Sequence, residues 1–128
     1  MCGEIYVINI KKEFPPSGEP YFYIGRDRYG NVLSNPFTSI KDKNTLAKFI
    51  VENREDSIEK YRNYFHSEIE INQMLQNKIN EIYTLYTNGK NVYLGCFCKP
   101  LSCHGDIIKK YIENKYLSNQ LKSSYFCN

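Results

Sequence analysis

The chain has 128 residues and a mass of 15.1 kDa, enough for one domain whose core needs no metal or disulfide to hold it. Hydrophobic residues make up 41% and charged residues 24%, and twelve Tyr with seven Phe exclude a disordered tail. Seventeen Lys and Arg against fourteen Asp and Glu give a net charge of +3, spread rather than striped, which argues against a duplex-binding module and suits a small anionic ligand.

Glu4–Ile10 alternates large and β-branched residues and reads as a strand. Lys11–Pro20 holds three Pro and Gly18 and is a loop. Tyr21–Gly25 reads as a second short strand, and Arg26–Phe37, rich in Gly, Asn, Asp and Pro, as a long loop of the kind that carries function. From Asn44 the period changes to that of a helix, with Leu46, Phe49 and Ile50 on one face. Asp56 or Ser57 is placed to cap a helix carrying Ile58, Tyr61, Tyr64 and Phe65.

A further helix is expected from about Glu68 to Thr87, its stripe being Ile71, Leu75, Ile79, Ile82 and Tyr86. Asn88-Gly89 closes it. Asn91–Phe97 reads as a buried strand, and Ser102 as the cap of a last helix that turns Ile107, Ile108, Tyr111 and Ile112 inward. The tail after Leu117 is polar and expected to be loose. The order predicts an α/β fold: a small single-domain Rossmann-like sandwich with a mainly parallel sheet and a long helical insert before the last strand. One domain spans 1–128, with the core over 1–117 and the tail over 118–128. No apolar run approaches the roughly 20 residues of a membrane span, and the start is not a signal peptide, so a cytoplasmic protein without a membrane partner is expected.

The five cysteines are Cys2, Cys96, Cys98, Cys103 and Cys127, and without a signal peptide they read as reduced thiols. Three fall in Gly95–Asp106 (GCFCKPLSCHGD), between a strand and a helix, where open α/β sheets bind ligands. The helix N-terminus around Cys103, His104 and Gly105 is suited to a phosphate or carboxylate, with Gly105 leaving room for close approach. Cys96, Cys98, Cys103 and His104 hold the atoms for zinc, but their spacing and the adjacent Cys-His pair fit one metal poorly, and no metal or cofactor is expected. A thiol at a helix start beside a histidine is also where nucleophilic or acid–base chemistry arises, so Cys103, His104 and Asp106 are the catalytic candidates should the protein be an enzyme. Packing alone accounts for the same residues: free Cys behaves as a small hydrophobe.

A second constellation is Tyr23-Ile24-Gly25-Arg26 with Ser34-Asn35-Pro36-Phe37. Arg26 follows a strand and can fork onto a phosphate or carboxylate. Asn35 offers donor and acceptor together, Pro36 fixes the backbone, and Phe37 or Tyr29 can stack on a base. A surface ion pair for Arg26 and a core position for Phe37 are the plain alternatives.

Taken in order, YIGR, NPF, Glu59-Lys60-Tyr61-Arg62 (EKYR) and CxCxPxxCHGD resemble a family of phage and bacterial proteins, domain of unknown function 4326, over about residues 21–113. This chain has Ser34 where the family usually has Gly, a longer Arg26–Leu33 loop and a longer helical insert. The resemblance implies no established reaction and suggests a viral accessory protein.

The expectation is a protein that binds and sequesters a nucleotide-derived small molecule, a cyclic nucleotide or an ADP-ribose- or NAD-related signal, as an anti-defence sponge. Gly25, Arg26, Asn35, Pro36, Phe37, Cys98, Cys103, His104, Gly105 and Asp106 are the candidate ligand residues. The alternative is a nucleoside or nucleotide glycosidase, transferase or hydrolase using His104, Cys103 and Asp106. A protein-interaction inhibitor working through the Tyr-rich helical insert is a third reading, and exposed aromatics make a homodimer compatible with the sequence.

Overall fold

The β-branched run Ile5-Tyr6-Val7-Ile8 and the apolar run Val92-Tyr93-Leu94 form the heart of a parallel sheet. We describe residues 2–40 and 44–126 of the chain from a computed structural model. Strand β1 (Ile5–Asn9) and strand β2 (Tyr21–Tyr23) flank the central β5 (Val92–Cys96), and both pair with it in parallel. Tyr6 and Tyr21 both face Tyr93 in register, and Ile8 and Tyr23 both face Gly95. Successive side chains alternate faces, so the sheet has two distinct sides.

One side carries Ile5, Val92, Leu94 and Cys96, which join one buried cluster with Tyr61, Phe65, Ile79, Ile82, Ile108 and Ile112 from the helices. The other carries Tyr6, Tyr93 and Tyr21; the Tyr6 and Tyr93 rings stack with centroids 5.1 Å apart. This is the α/β fold with a parallel sheet and a helical segment before the last strand that the sequence predicts.

Helix α1 (Arg54–Ile71) begins earlier than the sequence suggests. Asn53 is its cap and accepts the Asp56 N–H; Asp56 and Ser57 already lie inside the first turn. Ser57 is held instead by long-range bonds described below. The insert before β5 is two helices, α1 and α2 (Gln73–Thr87), not one running on from Glu68. Asn72 separates them. Its extended backbone donates to the Glu68 carbonyl, closing α1, while its side chain accepts the Leu75 N–H and opens α2. The break rephases the apolar stripe: Ile69 is buried and Ile71 is 78% exposed, whereas Leu75, Ile79, Ile82 and Tyr86 are buried as expected. Gly89, at φ 85°, turns the chain from α2 toward β5 in a conformation that favours glycine.

The segment from Asn44 is not helical. Phe49–Ile50 forms a short strand, β4, parallel to β3 (Phe37–Thr38). The Pro36 carbonyl accepts the N–H groups of Lys48 and Phe49, and the Phe37 and Phe49 rings stack at 5.1 Å. Leu46, Phe49 and Ile50 are all more than half exposed, so a helix there would have had no core to bury its stripe in. Lys41, Asp42, Lys43 and Cys127 lie outside the described residues.

Helix α3 (Gly105–Phe126) starts beyond Ser102, which is exposed and does not cap it. Asp106, in the first turn, reaches back instead, its carboxylate accepting the Cys103 N–H at 3.3 Å. The helix runs on to Phe126 where a loose tail is expected after Leu117, because Lys115 and Asn119 reach Asn80 and Tyr83 of α2 and tie the two helices together. Asn72→Ala removes one cap and the donor to Glu68. It should lower unfolding free energy by about 1 kcal/mol, read as a lower urea midpoint at unchanged slope.

Candidate functional site

β5 ends at Cys96 and β2 at Tyr23, and the chain leaves both strands in loops on the same side, as parallel pairing requires. Between these loops and the start of α1 lies a cleft of about 360 Å³. Gly25, Arg26, Asn35, Phe37, Cys98, Cys103 and His104 line it, so the structure brings together most of the residues singled out in the sequence. Pro36, Gly105, Asp106 and Tyr29 are not part of its wall.

The Arg26–Phe37 loop is built rather than slack. Asp27 accepts the N–H groups of Tyr29 and Asn31. Asn31 donates to the carbonyls of Tyr23 and Gly25 and accepts the Leu33 N–H. Asn35 is buried; it donates to the Ser57 hydroxyl at 2.9 Å and accepts the Phe37 N–H at 2.9 Å. Ser57 donates onward to the Phe37 carbonyl. Both ends of the Asn35 amide are therefore used within the protein, where the sequence reading gave them to a base or ribose. Arg26 donates through Nη1 to the carbonyls of Asn35 (2.8 Å) and Phe37 (3.4 Å), and its remaining nitrogens hold no partner among the described residues. Tyr23 folds its ring against Gly25 and donates its hydroxyl to the Arg26 carbonyl.

The other wall is the Phe97–His104 loop. Asn9 anchors it by donating to the carbonyls of Phe97 and Lys99. Phe97 is 46% exposed and meets Tyr23 edge to face. His104 is buried against Tyr61, its Nε2 2.7 Å from the Ile24 carbonyl. An acceptor-only partner assigns the proton to Nε2 and leaves Nδ1 toward the Cys103 sulfur at 3.7 Å. Burial pushes the His104 pKa below its ordinary value, although the Ile24 carbonyl favours the charged form.

Cys103 is buried, and contacts with Cys96 and Cys98 together with burial push its thiol up. Cys98 is half-buried and shifts the other way: Cys103, Cys96 and the Arg54 guanidinium favour its thiolate. Asp106 pairs with Lys99 at 2.6 Å outside the cleft. Gly105 leaves room for the sheet and not for a ligand, since a Cβ there would lie 2.7 Å from Ile24 Cδ1 and 2.8 Å from Val7 Cγ1. The Cys103 N–H goes to Asp106 and the Gly105 N–H to the Cys103 sulfur, so these two amides of the helix start are occupied. Among the described residues no group of three or more His, Cys, Asp or Glu is arranged to hold a metal ion.

Sequence reasoning missed Arg54, which lines the cleft and reaches the Ser102 carbonyl at 3.5 Å. A signal was present: a cation as first residue of a helix faces the positive end of the dipole, and such local violations gather at functional positions.

The family model named "Domain of unknown function (DUF4326)" matches residues 8–114. The chain belongs to that family. The match takes in every residue that lines the cleft, from Tyr23 to His104. No curated protein matches the chain, and no solved structure matches it.

A buried neutral His104 makes a testable demand on stability. The folded state binds this proton less readily than the unfolded state, so the contribution is present above the ordinary histidine pKa of 6.5 and is lost as pH falls below it. Urea midpoints should fall between pH 7 and pH 5, and His104→Gln should flatten that slope.

Proposed function

We propose that the cleft binds a nucleotide-derived small molecule and holds it unchanged. The observation that carries this reading is the charge of the lining: two guanidiniums, Arg26 and Arg54, and no carboxylate among the described residues. An anion held there meets two forked donors without an opposing carboxylate. Tyr23, Phe37 and Phe97 supply aromatic surface for a base, and a volume of about 360 Å³ falls in the range of small-molecule sites. The position at the carboxyl ends of parallel strands supports the same reading.

Sequestration fits better than turnover by the expected catalytic set. His104 has both ring nitrogens engaged, the buried Cys103 favours its neutral form, and Asp106 is taken up by the Cys103 N–H and Lys99. In this proposal the ligand is a cyclic nucleotide or an ADP-ribose- or NAD-related signal. The protein acts as a cytoplasmic sponge for it, with the resemblance to phage proteins making a defence signal the natural target. Arg26 and Arg54 hold phosphate, and the aromatic side chains hold the base.

Native mass spectrometry with a panel of cyclic nucleotides, ADP-ribose and NAD tests this directly. The expected result is a bound ligand of unaltered mass, with affinity reduced about tenfold or more by Arg54→Ala and by Arg26→Ala. Arg26→Lys should recover only part of the loss, because a point charge cannot serve the Asn35 carbonyl and a phosphate as a fork does. Release of a chemically changed ligand at enzyme-level turnover, or no adduct from the panel, would overturn the reading.

A further inference from the structure

The inner wall of the cleft gathers three sulfurs for which ligand binding has no use. Cys96 ends β5, Cys98 lies two residues beyond it, and Cys103 stands just before α3, all three on the wall of the cleft. A turn closed by the Leu101 N–H on the Cys98 carbonyl at 2.9 Å folds the chain back between Cys98 and Cys103. Both side chains line the cleft, and they differ in access: Cys98 is half-buried, whereas Cys103 is 1% exposed. Arg54 approaches Cys98 from α1, and Arg26 lines the same space.

We propose that Cys98 and Cys103 are a reactive dithiol that undergoes thiol–disulfide exchange with anionic low-molecular-weight disulfides, Cys98 attacking and Cys103 resolving. The reaction goes beyond the binding function and does not depend on it.

The Cys98 thiolate attacks one sulfur of the small disulfide, forming a protein–ligand S–S bond and breaking the ligand's own, whose second sulfur departs as a thiolate. Cys103 then gives its proton to that departing thiolate and attacks the Cys98 sulfur. A Cys98–Cys103 bond forms and the second small thiolate leaves. The two cysteines lose two electrons and the disulfide gains them.

The environment favours this order. The groups facing Cys98 are the Cys96 and Cys103 thiols, Arg54 from α1 and the neutral His104; Cys103, then Cys96 and Arg54, stabilise its thiolate against the cost of burial. Cys103 is held as a thiol chiefly by its contacts with Cys96 and Cys98. Once Cys98 is in a mixed disulfide its negative charge is gone, and that restraint on Cys103 weakens. Arg26 and Arg54 also attract the carboxylates of a disulfide such as oxidised glutathione.

Two measurements test the proposal. In the wild-type chain, Cys98 should react with iodoacetamide at about pH 6 roughly tenfold faster or more in the folded protein than in urea, where its thiol is ordinary. Incubation with oxidised glutathione should then remove two hydrogens from the folded chain, with peptide mapping placing the new bond between Cys98 and Cys103. In Cys103→Ser the reaction should stop at glutathione on Cys98, and Cys98→Ser should form neither product. The alkylation experiment needs no variant, so it holds even if a serine at buried position 103 unfolds the protein. Equal alkylation rates in folded and unfolded chain would overturn the proposal. So would a disulfide mapped to another pair, or stable glutathione on wild-type Cys98 with no internal bond.

Discussion

Asn35 donates to the Ser57 hydroxyl and accepts the Phe37 N–H, and Ser57 in turn donates to the Phe37 carbonyl. That closed exchange fastens the long loop after β2 to the first turn of α1. It fixes the carbonyls that receive Arg26, it sets Phe37 where β4 can pair with β3, and it leaves no buried polar side-chain atom without a partner there. A buried amide left half-satisfied would cost about 1–3 kcal/mol, so the loop has one well-defined conformation and not several. One face of the cleft inherits its shape from this exchange.

The opposite face inherits its shape from the sheet. β5 is central and pairs on both edges, so its end is the most constrained point of the chain and the loop that follows starts from a fixed place. Asn9, at the end of β1, reaches across to two carbonyls of that loop, and His104 is tied to Ile24 at the end of β2. All three strands thus hold the segment that carries the sulfurs. Gly105 lets α3 sit against Val7 and Ile24, which brings Cys103 into the core and leaves Cys98 at the cleft.

Much of this was readable because the informative residues are local. A strand, then GCFCKPLSCHGD, then an apolar helical stripe announces a loop at the end of a parallel sheet, and the YIGR and NPF segments announce its neighbour. The parts that escaped depend on distant partners. Leu46, Phe49 and Ile50 have helical spacing, but the Pro36 carbonyl and the Phe37 ring make a two-residue parallel ladder, too short to leave a period of its own. The start of α1 is set by Asn53 locally and by Phe37 through Ser57, and only the first of these is visible in sequence. Asn72 escaped because Ile71 continues the stripe of α2 by spacing while its side chain faces solvent. Asn35 and Gly105 show the converse: in the sequence both look open to a ligand, and in the fold both are committed to holding other parts of the chain.

Arg54 owes its place on the cleft to the rotational phase of α1. Each residue of an α-helix turns about 100°, so inserting or deleting one residue between Asn53 and Ser57 would swing the guanidinium around the helix while Ser57 stayed pinned to the loop. The five-residue stretch from Asn53 to Ser57 is therefore a spacer of fixed length. Length can vary more freely upstream of Asn53, where the chain has only to cross from β4 to the cap. Relatives that keep this cleft should preserve that interval even where the surrounding segments grow or shrink.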